Sequence, residues 1–105
     1  MAFLMMIVGA QIRAARALLD WSQEKLAKQT EAFGAGVSET GIANIERGKS
    51  RPLAETLDSI QKALEQAGVV FINDDSGLGQ GVRLREPVVL SPRRRRKKPT
   101  QEREE

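Results

Sequence analysis

A glycine stands at each end of the segment GVSETGIANIERG, residues 36–48, and limits the length of any helix between them. Ser38 suits the N-cap position, where its hydroxyl accepts a hydrogen bond from a backbone N–H within the first turn. Ile42 and Ile45 lie three residues apart and give the helix one apolar side. The closing glycine suits the residue that follows a helix end. The segment therefore predicts a short helix over residues 39–47 that buries one side and carries polar side chains at its start.

Apolar periodicity predicts three further helices. The first spans residues 9–19, and the second follows the N-cap Ser22 and ends at about residue 31 or 32. The fourth helix of the chain follows the turn KSRP and ends at Gly68. The side chains expected on the buried faces of these three helices are Ile12, Ala15, Leu18, Leu19, Leu26, Ala27, Leu53, Leu57, Ile60 and Leu64.

The amino-acid composition changes after this helix. The runs VVFIN (69–73) and GVRLRE (81–86) are rich in β-branched or alternating residues, and the loop between them is rich in Asp and Gly. They predict a β-hairpin with a long loop. Its edge strands are unpaired, and a second protomer could cover both these edges and an apolar surface. The side chains expected on that surface are Val70, Ile72, Val82 and Leu84.

These elements predict a mainly α fold with three parts. A small helical domain of four to five helices occupies residues 1–68, the hairpin at 69–86 is a candidate dimerisation element, and residues 87–105 form a disordered basic tail. The apolar N-terminal stretch MAFLMMIVGA lacks the preceding cation of a secretory signal, and it is too short to cross a bilayer. We expect it to pack on the domain, and we expect no membrane association.

The sequence contains no cysteine and no histidine. It therefore lacks disulfides, thiol nucleophiles and imidazole acid–base chemistry, and a structural zinc site would be without its usual ligands. No nucleophile–base pair or metal cluster is visible in the pattern, so we expect neither an enzyme nor a bound cofactor. The glycines of GLGQG (77–81) lack the strand-to-helix context of a phosphate loop. Asp74 and Asp75 are typical of a turn.

Positive charge is concentrated at the C-terminus. The whole chain has a net charge of +3, but residues 93–105 hold seven Lys or Arg and three Glu, which leaves the first 92 residues at −1. A run of consecutive cations in a tail is typical of an arm that binds phosphates. The consecutive cations of this arm are Arg93, Arg94, Arg95, Arg96, Lys97 and Lys98.

The order short helix, turn, short helix is what helix-turn-helix DNA binding requires. The second helix must bury one side while its first residues meet base edges in the major groove. The stretch IRAARALLDWSQEKLA, followed by GVSETGIANIERGKSRP, resembles the Cro/repressor-type helix-turn-helix family, also called the XRE family. The resemblance covers residues 9–68. It rests on the Trp-Ser-Gln start of helix 2, the Leu-Ala pair, Gly-Val-Ser before helix 3 and the closing Ile-Glu-Arg-Gly.

The resemblance implies which residues meet DNA. Gln23 matches a position that contacts a phosphate or supports a recognition side chain, and Lys49 and Arg51 match a loop that meets backbone phosphate. The carboxylate of Glu39 can accept from a cytosine amino group, or it can serve the positive end of the helix dipole, and we favour the second role slightly. The positions that match the groove-facing residues of the family are Ser38, Glu39, Thr40 and Asn44.

One departure from the family pattern affects the turn. Eight residues, KQTEAFGA, separate the Leu-Ala pair from Gly-Val-Ser, where the family typically uses three. Either helix 2 is longer than usual, or the turn is a loop anchored by Phe33. The angle between the two helices depends on which of these holds.

By this resemblance we expect a sequence-specific transcriptional regulator, most simply a repressor that binds an inverted repeat in double-stranded DNA as a homodimer. One recognition helix reads roughly 4–5 base pairs, which is too few for specific binding by a single protomer. The expected setting is the cytoplasm of a bacterium, in association with the nucleoid, with the protein encoded by the bacterium or by a phage or mobile element. The alternative is an antitoxin or antiactivator whose main partner is a protein and whose DNA binding is secondary.

Overall fold

The computed structural model of the protein describes residues 6–93 and Arg95. In this part of the chain four α-helices come first: α1 (Gly9–Leu19), α2 (Gln23–Thr30), α3 (Glu39–Glu46) and α4 (Ala54–Gln66). A 3-10 turn at Glu31–Phe33 lies between α2 and α3. An antiparallel hairpin of β1 (Val69–Ile72) and β2 (Gly81–Leu84) follows. The prediction of a mainly α domain of four to five helices with a β-hairpin after it is confirmed.

Polar caps and glycines set the ends of the helices, as the sequence predicted. The hydroxyl of Ser22 accepts a hydrogen bond from the N–H of Lys25, which starts α2, and Ser38 accepts in the same way from Gly41, which starts α3; both distances are 3.0 Å. After α3 the backbone reverses at Gly48, whose φ of 75° lies in the left-handed region that glycine adopts without strain. Helix α3 is therefore limited to about two turns, by the Ser38 cap at its start and by Gly48 after its end.

All four helices contribute to a single core, and β1 closes one side of it. Two residues expected in this core are exposed. Leu18 is 42 % exposed because it lies off the stripe that Ile12, Ala15 and Leu19 form at helical spacing. Leu53 is 67 % exposed because it is the extended N-cap of α4 and precedes the helical stripe. The buried core residues are Ile7, Ile12, Ala15, Leu26, Ile42, Ile45, Leu57, Ile60, Ala63, Leu64 and Val69.

The stretch KQTEAFGA combines features of both arrangements expected from the sequence: its first three residues, 28–30, belong to α2, and the 3-10 turn and the residues after it form a connection anchored by Phe33. The hydroxyl of the buried Thr30 donates to the carbonyl of Ala27 at 2.6 Å and accepts from the N–H of Val37 at 3.0 Å. From α4, Ser59 donates to the carbonyl of Phe33 at 2.8 Å, and the Phe33 ring packs against the core. These contacts hold α2 and α3 together despite the longer turn.

The register of the hairpin determines which side chains face the core. Val69 pairs with Leu84, and Phe71 pairs with Val82. These four side chains pack with the helices, so the alternate residues of β1 point to the opposite face. Because every residue of β1 is apolar, alternation gave no sequence signal for its inward face. The expectation that one exposed face would carry Val70, Ile72, Val82 and Leu84 was therefore wrong.

Polar contacts attach the hairpin to α1 and α4. The buried side chain of Gln11 donates from Nε2 to the carbonyl of Gly81 at 3.0 Å. At the other end of β2, the N–H of Arg85 donates to the carbonyl of Gly68 at 2.8 Å. The guanidinium of Arg85 donates to the carbonyl of Glu65, in the last turn of α4, at 2.7 Å. The hairpin therefore shares the core of the helices and continues from α4 in a fixed direction.

The described residues after the hairpin are exposed. Residues 87–93 and Arg95 have no regular secondary structure. Most of the expected tail, Arg94 and residues 96–105, lies outside the described residues, and so does the lead segment up to residue 5. Within the described part of the chain, no helix has both the length and the apolar character needed to cross a bilayer.

Candidate nucleic-acid interface

Helix α3 has one buried side and one outward side. The buried residues are Ile42, Ala43, Ile45 and Glu46. On the outward side, Thr40 is exposed and Asn44 is half-buried. Arg47, at the C-cap, is exposed and follows Asn44 by three residues, so it continues the same helical stripe. Thr40, Asn44 and Arg47 form what we call the outward stripe, a row of hydrogen-bonding side chains typical of direct base readout.

The first residues of α3 are exposed as well. The Ser38 hydroxyl accepts from the N–H of Gly41, which engages one of its two lone pairs at the cap. Glu39 lies in the first turn, where a carboxylate is stabilised by the positive end of the helix dipole. It shares the helical side of Ala43 and Glu46 rather than that of the outward stripe. This placement favours the structural role of Glu39 over a base contact.

A buried ion pair holds the C-terminal end of α3. Arg16 of α1 donates to the Glu46 carboxylate twice, from Nε to Oε2 at 2.7 Å and from Nη2 to Oε1 at 2.9 Å. The two side chains are only 18 % and 3 % exposed. The hydrogen bond to Glu46 raises the pKa of Arg16, against the opposing effect of burial, and the guanidinium stays charged. A bidentate pair of this kind fixes orientation as well as distance.

Gln23 joins the same network from the start of α2. Its Nε2 donates to Glu46 Oε1 at 3.1 Å, and the Nη1 of Arg16 donates to the carbonyl of Trp21, just before α2, at 2.9 Å. Glu46 thereby connects α1, α2 and α3. Gln23 therefore contacts α3 through Glu46. The two roles that the resemblance implied for it, contact with a phosphate or support of a recognition side chain, remain predictions.

The backbone at the end of α3 is held too. Arg13 donates from Nη1 to the Glu46 carbonyl at 2.7 Å, which satisfies a carbonyl in the last turn of the helix. Gly9, at the start of α1, lies so close that an added Cβ would stand 2.6 Å from the Ile45 carbonyl oxygen and 2.8 Å from the Glu46 carbonyl oxygen. Only glycine permits this approach of the two backbones. Four residues of α1 and α2 (Gly9, Arg13, Arg16 and Gln23) thus position one end of α3.

The cations expected at phosphates lie in two parts of the chain, the turn after α3 and the segment beyond the hairpin. Lys49 and Arg51 are exposed in the turn between α3 and α4. Arg93 and Arg95 are exposed beyond the hairpin, whereas Arg94, Arg96, Lys97 and Lys98 lie outside the described residues. The turn therefore brings two positive charges close in the chain to the outward stripe, where long-range attraction to a phosphate backbone would act.

Sequence reasoning missed two functional features of this site. Arg47 was taken only as part of the closing Ile-Glu-Arg-Gly, although its spacing of three from Asn44 indicated the same face. Glu46 was taken as a family signature with no role. Its position next to Ile45 and four residues after Ile42 is a signal of burial for a short helix, and a buried carboxylate requires a cationic partner.

Comparison with known families agrees with this geometry. The model of a family described as helix-turn-helix matches residues 12–66, more than half of the chain. The chain therefore belongs to the Cro/repressor-type (XRE) helix-turn-helix family, and it is a DNA-binding transcription regulator of that type. Comparison with curated proteins gave no match.

Proposed function

We propose that the protein is a repressor that binds an inverted-repeat operator as a homodimer and acts by occluding a promoter. The observation that carries this proposal is the contrast within α3 between a fixed end and an outward stripe of hydrogen-bonding side chains. Sequence-specific readout requires that contrast, because a side chain discriminates bases only if its backbone is held in one place. An inverted repeat follows from the small footprint of one α3, since two copies double the number of bases read.

Selection of bound DNA from a random pool tests the operator. We expect enrichment of an inverted repeat whose half-site centres are about 10–10.5 base pairs apart, or a multiple of that spacing. Enrichment of a single asymmetric half-site by a complex with one protein chain would contradict the homodimer. A pool that shows no enrichment at all would contradict sequence-specific binding. Repression is then tested by transcription in vitro from a promoter that carries the selected site, with a promoter lacking the site as control.

The basic tail is proposed to add phosphate contacts without base readout. Each neutralised phosphate contributes about −0.9 to the slope of log affinity against log salt, so six cations set an upper limit of about −5 per protomer. Glu102, Glu104 and Glu105 should reduce that value. We expect truncation after Pro92 to weaken binding to all DNA and to flatten the salt dependence, with the preferred sequence unchanged. An unchanged slope after truncation would show that the tail does not contact DNA.

A second candidate function is supported by one observation. Val88, Val89 and Leu90 form an exposed apolar segment after the hairpin, and a protein partner could cover it, as an antitoxin or antiactivator function requires. A gene for a toxin-like protein directly beside this one would favour that candidate. The DNA selection discriminates as well, because a protein whose main target is another protein need not select an operator. Both candidates place the protein where the DNA is, which is the cytoplasm in a bacterium.

A further inference from the structure

Three consecutive apolar residues after the hairpin are left in solvent. Val88, Val89 and Leu90, which we call the VVL segment, are 77 %, 83 % and 89 % exposed. Pro87 and Pro92 bound the segment and favour an extended backbone. A contiguous exposed apolar run of this kind marks a contact surface more often than an isolated exposed residue does. The segment therefore resembles a β-strand without a partner strand.

The hairpin offers an edge that such a strand fits. The N–H of Arg85 donates to the carbonyl of Gly68, so these two residues are a hydrogen-bonded pair of the antiparallel ladder. Hydrogen-bonded and non-hydrogen-bonded pairs alternate along such a ladder. Leu84 and Val82 are therefore in non-hydrogen-bonded pairs with β1, and their N–H and C=O groups point outward from the other edge of β2. In the described part of the chain the sheet has two strands, and β2 is one of its edges. Beside the start of β2 lies an open cleft of about 380 Å³, lined mainly by small and apolar side chains that include Val8, Ala10, Ala14 and Val82.

The VVL segment is poorly placed to reach its own β2. A fold-back would need a tight turn at residues 85–87, but the sequence there is Arg-Glu-Pro and contains none of the Gly, Asn or Asp residues that two-residue hairpin turns require. The main chain and the guanidinium of Arg85 are also bonded to Gly68 and Glu65, at 2.8 Å and 2.7 Å, which directs the chain onward from the hairpin. The edge that the segment can cover belongs to another molecule.

We propose that the VVL segment of one copy adds as an antiparallel strand to the β2 edge of a second copy and covers its cleft, and that the second copy makes the same contact in return. The inference rests on the homodimer proposed above and assigns its interface. Residues 81–91 form one run, with β2 at its start and the VVL segment near its end. When two such runs pair antiparallel about a two-fold axis, the start of each lies against the end of the other. One symmetric contact therefore covers both segments and both clefts.

Charge complementarity supports the antiparallel direction. In this pairing the residues after Leu90 run past the start of the partner's β2 towards its hairpin loop. Arg93 and Arg95 are exposed on the arriving segment, and Asp74 and Asp75 are exposed in the hairpin loop. Opposite charges meet in this direction, and cross-strand neighbours of opposite sign stabilise a sheet. Arg93 and Arg95 then serve the protein contact, and the other cations of the tail account for the phosphate contacts.

The first test measures dimerisation without DNA by analytical ultracentrifugation. Two variants place charge in the segment, Val89→Asp and the double variant Val88→Asp with Leu90→Asp, because alternate residues of an added strand face opposite ways. We expect at least one of them to weaken dimerisation tenfold or more. The matched control is Leu53→Asp, which adds the same charge at an exposed leucine on the N-cap of α4. At a protein concentration low enough for the monomer to predominate, none of the three variants should have a lower thermal unfolding midpoint than the parent.

The second test maps the contact by cross-linking. The chain has no cysteine, so Arg83→Cys and Leu90→Cys each introduce one thiol. A short thiol cross-linker should join the two variants when they are mixed more efficiently than it joins either variant to itself. Efficient 83–90 cross-linking together with dissociation by the segment variants supports the proposal.

The remaining outcomes overturn the proposal in distinguishable ways. A dimer that persists in both segment variants moves the interface elsewhere and leaves the repressor proposal intact. A parent that stays monomeric at all concentrations, with no 83–90 cross-link, overturns this interface, and the stoichiometry on the selected DNA then decides whether a homodimer exists at all. A monomeric parent that needs the VVL segment to bind a neighbouring gene product overturns the contact between copies in favour of a protein partner.

Discussion

The two sides of α3 differ in how their side chains are held. At its C-terminal end, Glu46 receives hydrogen bonds through both its carboxylate and its carbonyl, from residues of α1 and α2. Along the outward stripe, the side chains of Thr40, Asn44 and Arg47 make no hydrogen bond to any residue that the structure describes. The difference teaches that the contacts that position α3 and the side chains proposed to read DNA lie on different sides of the helix. The polar groups of Glu46 are engaged in positioning α3. Those of the outward stripe remain available for DNA.

The largest effect should come from removing the ion pair that positions α3. Glu46→Ala leaves the guanidinium of Arg16, whose side chain is 18 % exposed, without its carboxylate partner. Loss of one partner of a fully buried pair costs about 3–5 kcal/mol, and we expect a loss at the lower end of that range here. Urea denaturation followed by circular dichroism measures the change in the free energy of unfolding. Asp58→Ala is the matched control, because the pair that Asp58 makes with Lys62 is exposed and contributes about 0–1 kcal/mol. Equal losses in the two variants would contradict a positioning role for Glu46.

A smaller effect should follow from pushing the two backbones apart. The Cβ of Gly9→Ala would stand within 2.9 Å of three backbone atoms of α3, and backbone cannot move away as a flexible side chain can. We expect a loss of about 1–3 kcal/mol in the free energy of unfolding, together with weaker binding to the selected operator. Gly79→Ala is the control, since nothing lies within 4 Å of its added Cβ. If Gly9→Ala unfolds like the parent, the close approach does not constrain α3.

The smallest effect should come from the start of α3. Ser38→Ala removes the hydroxyl that accepts from Gly41, and loss of such a cap costs about 1 kcal/mol. The expected result is a slightly lower unfolding midpoint, with operator binding reduced only to the extent that α3 frays. Ser50→Ala, at an exposed serine in the following turn, is the control. A loss at Ser38 as large as that at Glu46 would mean that the cap, and not the network, holds the helix.

Local chemistry explains how much of the fold could be predicted. The caps at Ser22 and Ser38 and the glycine at Gly48 are signals contained within a few residues, and each prediction is confirmed. The hairpin was predicted from its composition, but its inward face was not, because β1 is apolar throughout and register depends on what it packs against. Contacts between residues far apart in the sequence were the hardest to predict. Arg16 and Glu46 are 30 residues apart, and nothing in either local pattern identifies the other.

The residues of the candidate site also differ in whether local sequence or tertiary packing determines their role. Thr40 and Asn44 were expected to face the groove because they match the groove-facing positions of the family, and the structure places both on the outward side of α3. Gln23 was predicted to contact a phosphate or to support a recognition side chain, and the structure adds its bond to Glu46, which depends on the tertiary packing of α2 against α3. Arg47 could have been added from its spacing alone. The three residues of α1 that hold the end of α3, Gly9, Arg13 and Arg16, could not, because their contacts depend on the angle at which α1 crosses α3.

The separation of readout from positioning is tested most directly by comparing two variants on two DNAs. Asn44→Ala and Lys49→Ala are each measured on the selected operator and on unrelated DNA, and the ratio of the two affinities is calculated. Asn44→Ala should lower this ratio by about 5- to 150-fold, equivalent to about 1–3 kcal/mol, with unfolding unchanged. Lys49→Ala should weaken binding to both DNAs alike and reduce the salt slope by about 1. An unchanged ratio in Asn44→Ala, or equal ratio changes in the two variants, would contradict base readout by the outward stripe.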